Sequence, residues 1–138
     1  MTAEAAIVVL MKQVPVHSHV NGRIAQAGVP QGIARPNIIY QRINTNRRYS
    51  NDGPTKLPKA TIQIGCWANS YPEANSLAKV VREKLDGFKG TVEGTNGQTI
   101  KIDAIFLSEE QDAPVPESPG VDTAIRGILF DAAIHYHE

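Results

Sequence analysis

The sequence has 138 residues, a formal net charge of zero and a single cysteine. This length fits one domain, residues 1–138, and an apolar content of 41% is enough to bury a core. One cysteine excludes an internal disulfide framework and a zinc site built from several cysteines. The apolar run at residues 5–11 is too short to span a bilayer and lacks the flanks of a secretory signal. A soluble, intracellular and unprocessed chain is therefore expected.

The zero net charge hides two halves of opposite sign. Residues 1–69 contain eight basic and two acidic side chains, whereas residues 70–138 contain six basic and twelve acidic ones. A uniformly basic chain would favour nucleic-acid binding, but a balance of +6 against −6 instead suggests contacts between copies of this chain.

Periodicity predicts two helices. Thr2 is a candidate N-cap, and apolar residues at helical spacing predict the first helix over residues 3–13. Ser70 and Glu73 form an S-x-x-E capping box that begins the second helix, and Gly87 marks its end.

Strand signals occupy most of the remaining chain. Residues 108–120 are acidic and proline-rich, which predicts a loop, and the last segment, residues 121–137, fits both periods. Its β-branched and aromatic content favours a strand. Five other segments have the alternation, the composition or the Asn-Gly hairpin signal of strands: residues 22–25, 37–45, 60–67, 90–93 and 98–107.

The predicted fold class is therefore α+β, with an antiparallel β-sheet of about five strands and two helices packed on one face. Residues 44–59 are polar, basic and rich in turn residues. They predict a long β-arm or loop that projects from the sheet, and an uninterrupted loop of this length is uncommon unless it is functional or disordered.

Candidate catalytic and metal-binding residues are weak. Cys66 lies within an alternating apolar strand, which is typical of a core cysteine. His17 and His19, like His135 and His137, have a spacing that a metal could use on a strand, but no third ligand is marked.

Two short motifs also match enzyme signatures. Asp122 opens a D-T-A triplet similar to that of aspartic proteases, and residues 76–79 match S-x-x-K in the middle of the second helix. Neither has the context that its chemistry needs. No catalytic, cofactor-binding or metal site is expected.

The basic arm is the better candidate for function. Its alternatives are a solvated loop, a contact arm for another subunit and, less favoured, a nucleic-acid contact; arginine and tyrosine are common interface anchors. The predicted subunit or tube interface comprises a basic set and an acidic set: Arg42, Arg47, Arg48, Tyr49, Asp52, Lys56 and Lys59, together with Glu109, Glu110, Asp112 and Glu117.

An ordered series of short motifs carries a family resemblance. The series runs over roughly four-fifths of the chain. Its pieces are Gly22-Arg23-Ile24, Pro30-Gln31-Gly32, Pro36, Tyr40-Gln41-Arg42-Ile43, the arm residues Ser50, Asp52, Gly53-Pro54 and Leu57, then Ile62 to Ala68, Ser70 to Ala74, Leu77-Ala78, Val81-Arg82, Leu85 to Phe88, Gly90, and the acidic loop with Asp112 and Pro116-Glu117 before a last strand with Asp131 and Tyr136. In this order the sequence resembles the tail completion proteins of long-tailed bacteriophages, also called tail terminators or head–tail joining proteins. It departs from them at Pro15 to His19 and in a less aromatic last strand.

This resemblance implies a non-enzymatic virion protein of phages or phage-like gene transfer particles. Such subunits form a hexameric ring that caps the head-proximal end of the tail tube, stops its growth and meets the head connector at the neck. The implied partners are copies of the chain, the tail tube protein and the connector or stopper protein, with DNA only in passage through the lumen and no membrane. The implied location is the tail–head junction, after assembly in the bacterial host cytoplasm. The alternatives are a head completion or stopper protein and, from another class, a small metal-dependent or aspartic hydrolase.

Overall fold

A computed structural model describes residues 2–13, 20, 23–26, 36–47, 49–51, 53–54, 58–94, 97–112 and 126–137. Its helices and strands are α1 (Ala3–Met11), β1 (Ile24–Gln26), β2 (Asn37–Asn46), β3 (Tyr49–Ser50), β4 (Gly53–Pro54), β5 (Lys59–Ala68), α2 (Tyr71–Leu85), β6 (Gly90–Glu93), β7 (Thr99–Asp112) and β8 (Arg126–Tyr136). The α+β class predicted from the sequence is confirmed in these elements.

The main sheet has six strands in the order β1-β2-β5-β8-β7-β6. β1 pairs with β2 in parallel, through Ile24 opposite Ile38, and the other four junctions are antiparallel. The prediction of a purely antiparallel sheet of about five strands was therefore wrong. Residues 27–36 connect β1 to β2 along the chain.

The core lies on one face of the central strands. On β5 the alternate positions Ala60, Ile62 and Ile64 are fully or almost fully buried, and on β8 the same holds for Ala132 and Ile134. α2 contacts both strands, and α1 packs against α2 and β6. Burial of these apolar faces is the main source of stability, since a nine-residue helix such as α1 is marginal alone.

The predicted local signals are largely present. The Ser70 hydroxyl accepts from the Glu73 N–H at 3.4 Å and caps α2. The Thr2 hydroxyl caps α1, which ends at Met11 rather than at residue 13. In the segment that fitted both periods, Arg126–Tyr136 form strand β8, as the β-branched content favoured, and residues 121–125 lie outside the described residues.

The acidic segment differs from its prediction. Ser108–Asp112 continue strand β7 and pair with β8, with Ser108 opposite Asp131 and Gln111 opposite Leu129. The backbone makes the strand pairing, so polar side chains can occupy an exposed stretch of strand. The polar composition of residues 108–112 therefore did not indicate that they form a strand. Residues 113–120 of the predicted loop lie outside the described residues.

Candidate functional site

The arm predicted at residues 44–59 is a hairpin in its described part. At its base, residues 44–46 of β2 pair with residues 59–61 of β5. Near its tip, Tyr49 pairs with Pro54 and Ser50 with Gly53. The hairpin alternative is therefore favoured over the uninterrupted loop.

Three basic side chains of the predicted interface are described, and two of them are exposed while the third is half-buried. Arg42 on β2 is 56% exposed, and its Nη1 lies 3.5 Å from the Glu4 carboxylate on α1. Such an exposed pair contributes little to stability, so the guanidinium remains able to meet another charge. Arg47 is exposed at the end of β2, and Lys59 is half-buried opposite Asn46.

Other members of the basic set are incompletely described. The structure gives the backbone of Tyr49 in β3 but not its side chain, and Arg48, Asp52 and Lys56 fall outside the described residues. Their predicted contact role stays a prediction.

The acidic set lies at the far end of β7. The Glu110 carboxylate accepts from Arg82 of α2 at 3.0 Å, and the Asp112 carboxylate accepts from the Tyr71 hydroxyl at 3.1 Å. Arg82 offsets the charge of Glu110, whereas the hydroxyl leaves Asp112 formally negative. Glu109 is described by its backbone alone, and Glu117 falls outside the described residues.

These contacts create an open polar groove that the sequence reasoning missed. Its α2 wall consists of Tyr71, Asn75, Lys79 and Arg82, and its β7 wall includes the carboxylates of Glu110 and Asp112. Positions i, i+4, i+8 and i+11 share one helix face, so the spacing itself was a usable signal. The acidic, proline-rich composition of residues 108–120 predicts a loop, so it does not indicate the strand that forms the other wall.

Among the described residues, Arg42 lies on β2 and the acidic Glu110 and Asp112 lie on β7, and these two strands are not neighbours in the sheet. β5 and β8 lie between β2 and β7 in the sheet. Three steps of about 4.8 Å therefore separate β2 from β7.

The described residues offer no metal centre: no group of three His, Cys, Asp or Glu side chains is placed to hold an ion. His135 packs edge-on against Phe106, with ring centroids 5.8 Å apart, and His137 Nε2 lies 2.8 Å from Asp103. The two histidines therefore have different partners. His17, His19 and Asp122 fall outside the described residues. No described helix is long and apolar enough to cross a membrane.

Cys66 is a core residue, as predicted. It is fully buried, and burial, helped by the negative charge of Glu110, raises the pKa of its thiol. Because the thiolate is the reactive form, we expect no reaction of the native chain with a water-soluble maleimide and one label per chain after denaturation. Mass spectrometry measures both, and rapid labelling of the native chain would contradict the buried placement.

Comparisons with known proteins agree with this architecture. The structure matches a chain described as "Virion of native gene transfer agent (GTA) particle" with a TM-score of 0.73 and 12% identity, over 98% of this chain and 93% of that one. At this identity the match shows the fold. No curated protein sequence matched the chain.

The sequence matches the family described as "Tail completion protein gp17" over residues 4–115, which is most of the chain. The resemblance predicted from the sequence is thereby confirmed. The chain belongs to the tail completion protein gp17 family, a family of structural virion proteins.

Proposed function

We propose that six copies of this chain form a ring that closes the head-proximal end of a phage-type tail tube, stops tube growth and joins the tail to the head connector. Family membership and the shared fold support a tail role. The observation that supports the ring is that the basic Arg42 and the acidic Glu110 and Asp112 lie on different, non-adjacent strands of one sheet. Contacts between unlike surfaces join copies head to tail, and head-to-tail contacts form a ring when the rotation from one copy to the next closes on itself.

The proposed mechanism is structural rather than catalytic. One rim of the ring covers the last layer of tube protein, and the other presents a surface to the connector. A net charge of zero suits a channel through which DNA passes. A strongly basic channel wall would make many phosphate contacts and would hold the DNA with a high, salt-sensitive affinity. The ring acts in the virion, at the tail–head junction.

Purified components test the capping step. Tail tube protein is polymerised with and without this chain, and tube lengths and ends are measured by electron microscopy. We expect shorter tubes that carry density at one end. Unchanged lengths and bare ends would contradict the capping role, and binding of the chain only to the head connector would favour the stopper alternative.

Reversing the charge of the arm is expected to weaken the ring. Like charges across a contact cost several kcal/mol, and each 1.4 kcal/mol is about tenfold in affinity. The double variant Arg47→Glu/Arg48→Glu should therefore raise the dissociation constant between copies by about tenfold or more. Native mass spectrometry at physiological salt measures the populations of rings and monomers.

Lys89→Glu/Lys101→Glu is the matched control for this variant. It changes the net charge by the same amount at two exposed residues outside the predicted interface. We expect rings from the control and mainly monomers from the arm variant. Rings that form equally well from both would show that the arm does not contact a neighbour.

A further inference from the structure

Two strands of the main sheet have stretches of outer edge that no described strand pairs with. β1 pairs only with Ile38–Tyr40 of β2, so the outer edge of residues 41–46 is open in the described part of the chain. β6 pairs only with residues 99–102 of β7. These two open stretches are called the β2 edge, residues 41–46, and the β7 edge, residues 108–112.

The corner after α2 covers the middle of β7 but not the β7 edge. The Gly87 N–H donates to the Ile105 carbonyl at 2.9 Å, and the Leu107 N–H donates to the Asp86 carboxylate at 3.4 Å. These bonds show that β7 directs backbone groups outward along this side. On β2, the Ile38 N–H donates outward to the Arg23 carbonyl at 2.9 Å. Because strand backbone groups alternate in direction, the groups of Arg42 also point outward.

The strand directions match across copies. β2–β5, β5–β8 and β8–β7 are all antiparallel, so β2 and β7 of one chain run in opposite directions. A second copy in the same orientation therefore brings its β2 antiparallel to β7 of the first. The alternating pattern of the sheet then continues from one subunit into the next without inverting either copy.

The two edges are staggered along the strand direction. Through β5, the β2 edge is level with residues 131–135 of β8, whereas the β7 edge lies opposite residues 128–131. The offset is three to four residues, or about 12 Å. A stagger of this kind is what tilted strands produce when a sheet closes on itself, so it is compatible with a closed ring.

Charge selects which edges meet. Arg42 lies on the β2 edge and Arg47 directly follows it, with no acidic residue among residues 41–47. The β7 edge carries Glu109, Glu110 and Asp112 and no basic residue. Each edge also contains a register shift, near Ile43 and between Ser108 and Gln111. Two like edges repel each other, whereas the β2 edge attracts the β7 edge of another copy.

We propose that copies of the chain join by strand addition, with the β2 edge of one copy paired antiparallel to the β7 edge of the next. This inference rests on the proposed ring and names the contact that closes it. The basic arm then projects beside the neighbouring subunit, and one continuous sheet runs around the assembly.

Disulfide trapping tests the contact. Asn44→Cys on the β2 edge is combined in one chain with Ser108→Cys or with Gln111→Cys on the β7 edge. Asn44 lies opposite Thr61, Ser108 opposite Asp131 and Gln111 opposite Leu129, which places all three on the sheet face opposite the core. Directly opposed residues of paired strands come within disulfide range. Cys66 is buried and stays in place as an internal unreactive thiol.

We expect mild oxidation, with tail tubes present, to give a covalent ladder up to the full ring for at least one pair. A mixture of the two single variants should give covalent dimers only. The matched control combines Asn44→Cys with Glu83→Cys, which is also exposed but lies on α2. Circular dichroism and thermal melting confirm that each variant is folded before oxidation.

Each outcome decides the proposal. A ladder from an edge pair and none from the control supports strand addition. Rings seen by electron microscopy without any ladder overturn the edge contact and leave the ring intact. Dimers from Asn44→Cys alone show pairing of like edges and overturn the proposal. Absence of any assembly, even at tube ends, overturns both the ring and the contact.

Discussion

Replacing Leu77 by alanine is expected to lower the free energy of unfolding by about 2–5 kcal/mol. Leu77 is 1% exposed on α2 and belongs to the cluster that joins both helices to the sheet. Alanine is the best helix former, so the substitution keeps the helix and removes only the packed side chain. Urea denaturation followed by circular dichroism measures the change.

Ser76→Ala is the matched control for Leu77→Ala. It introduces the same side chain at the preceding, exposed residue of the same helix. We expect its unfolding free energy to stay within about 0.5 kcal/mol of the parent chain. Equal midpoints for the two variants would contradict the placement of Leu77 in the core.

Replacing Gly127 by valine is expected to destabilise the chain by about 1–3 kcal/mol. Gly127 lies opposite Trp67 on the neighbouring strand, and a Cβ atom at this position would sit 2.6 Å from the indole Cε3. Valine has a higher strand propensity than glycine, but this contributes no more than about 1 kcal/mol, so the clash outweighs it. The indole must move, and the fluorescence of this single tryptophan reports the movement.

Ala133→Val provides the comparison for Gly127→Val. Ala133 is half-buried. Like Asp131, two residues before it, Ala133 lies on the same face of β8 as Gly127. A β-branched side chain is favoured in a strand, so this variant should be close to the parent in stability and fluorescence. If Gly127→Val has the melting temperature of Ala133→Val and the tryptophan emission of the parent chain, Trp67 does not cover Gly127.

Sequence signals predicted the elements that are determined by interactions between residues close together in the chain. The Ser70 cap and the apolar stripe through Leu77 define α2 because both act within a few turns of one helix. The parallel pairing of β1 was not predictable, since three residues carry no period and alternation does not encode strand direction. Pairing of residues 108–112 with β8 was missed because the partner strand, rather than composition, decides that Ser108–Asp112 are extended.

The candidate site follows the same division. The basic and acidic sets could be identified from the sequence because clusters of charged residues can be found without knowledge of the fold. The positions of Arg42 on β2 and of Glu110 and Asp112 on β7, with two strands between them, come from tertiary topology and could not be inferred from spacing. The pairing of Arg82 with Glu110 joins residues far apart in the chain, so it required both the helix face and the strand.

The most direct measurement of the central claim is electron microscopy of particles from which the gene for this chain has been deleted. A ring that ends tube growth and joins tail to head predicts overlong tails detached from filled heads, with normal particles restored by expression of the intact chain. Tails of normal length, attached to heads, would contradict the account.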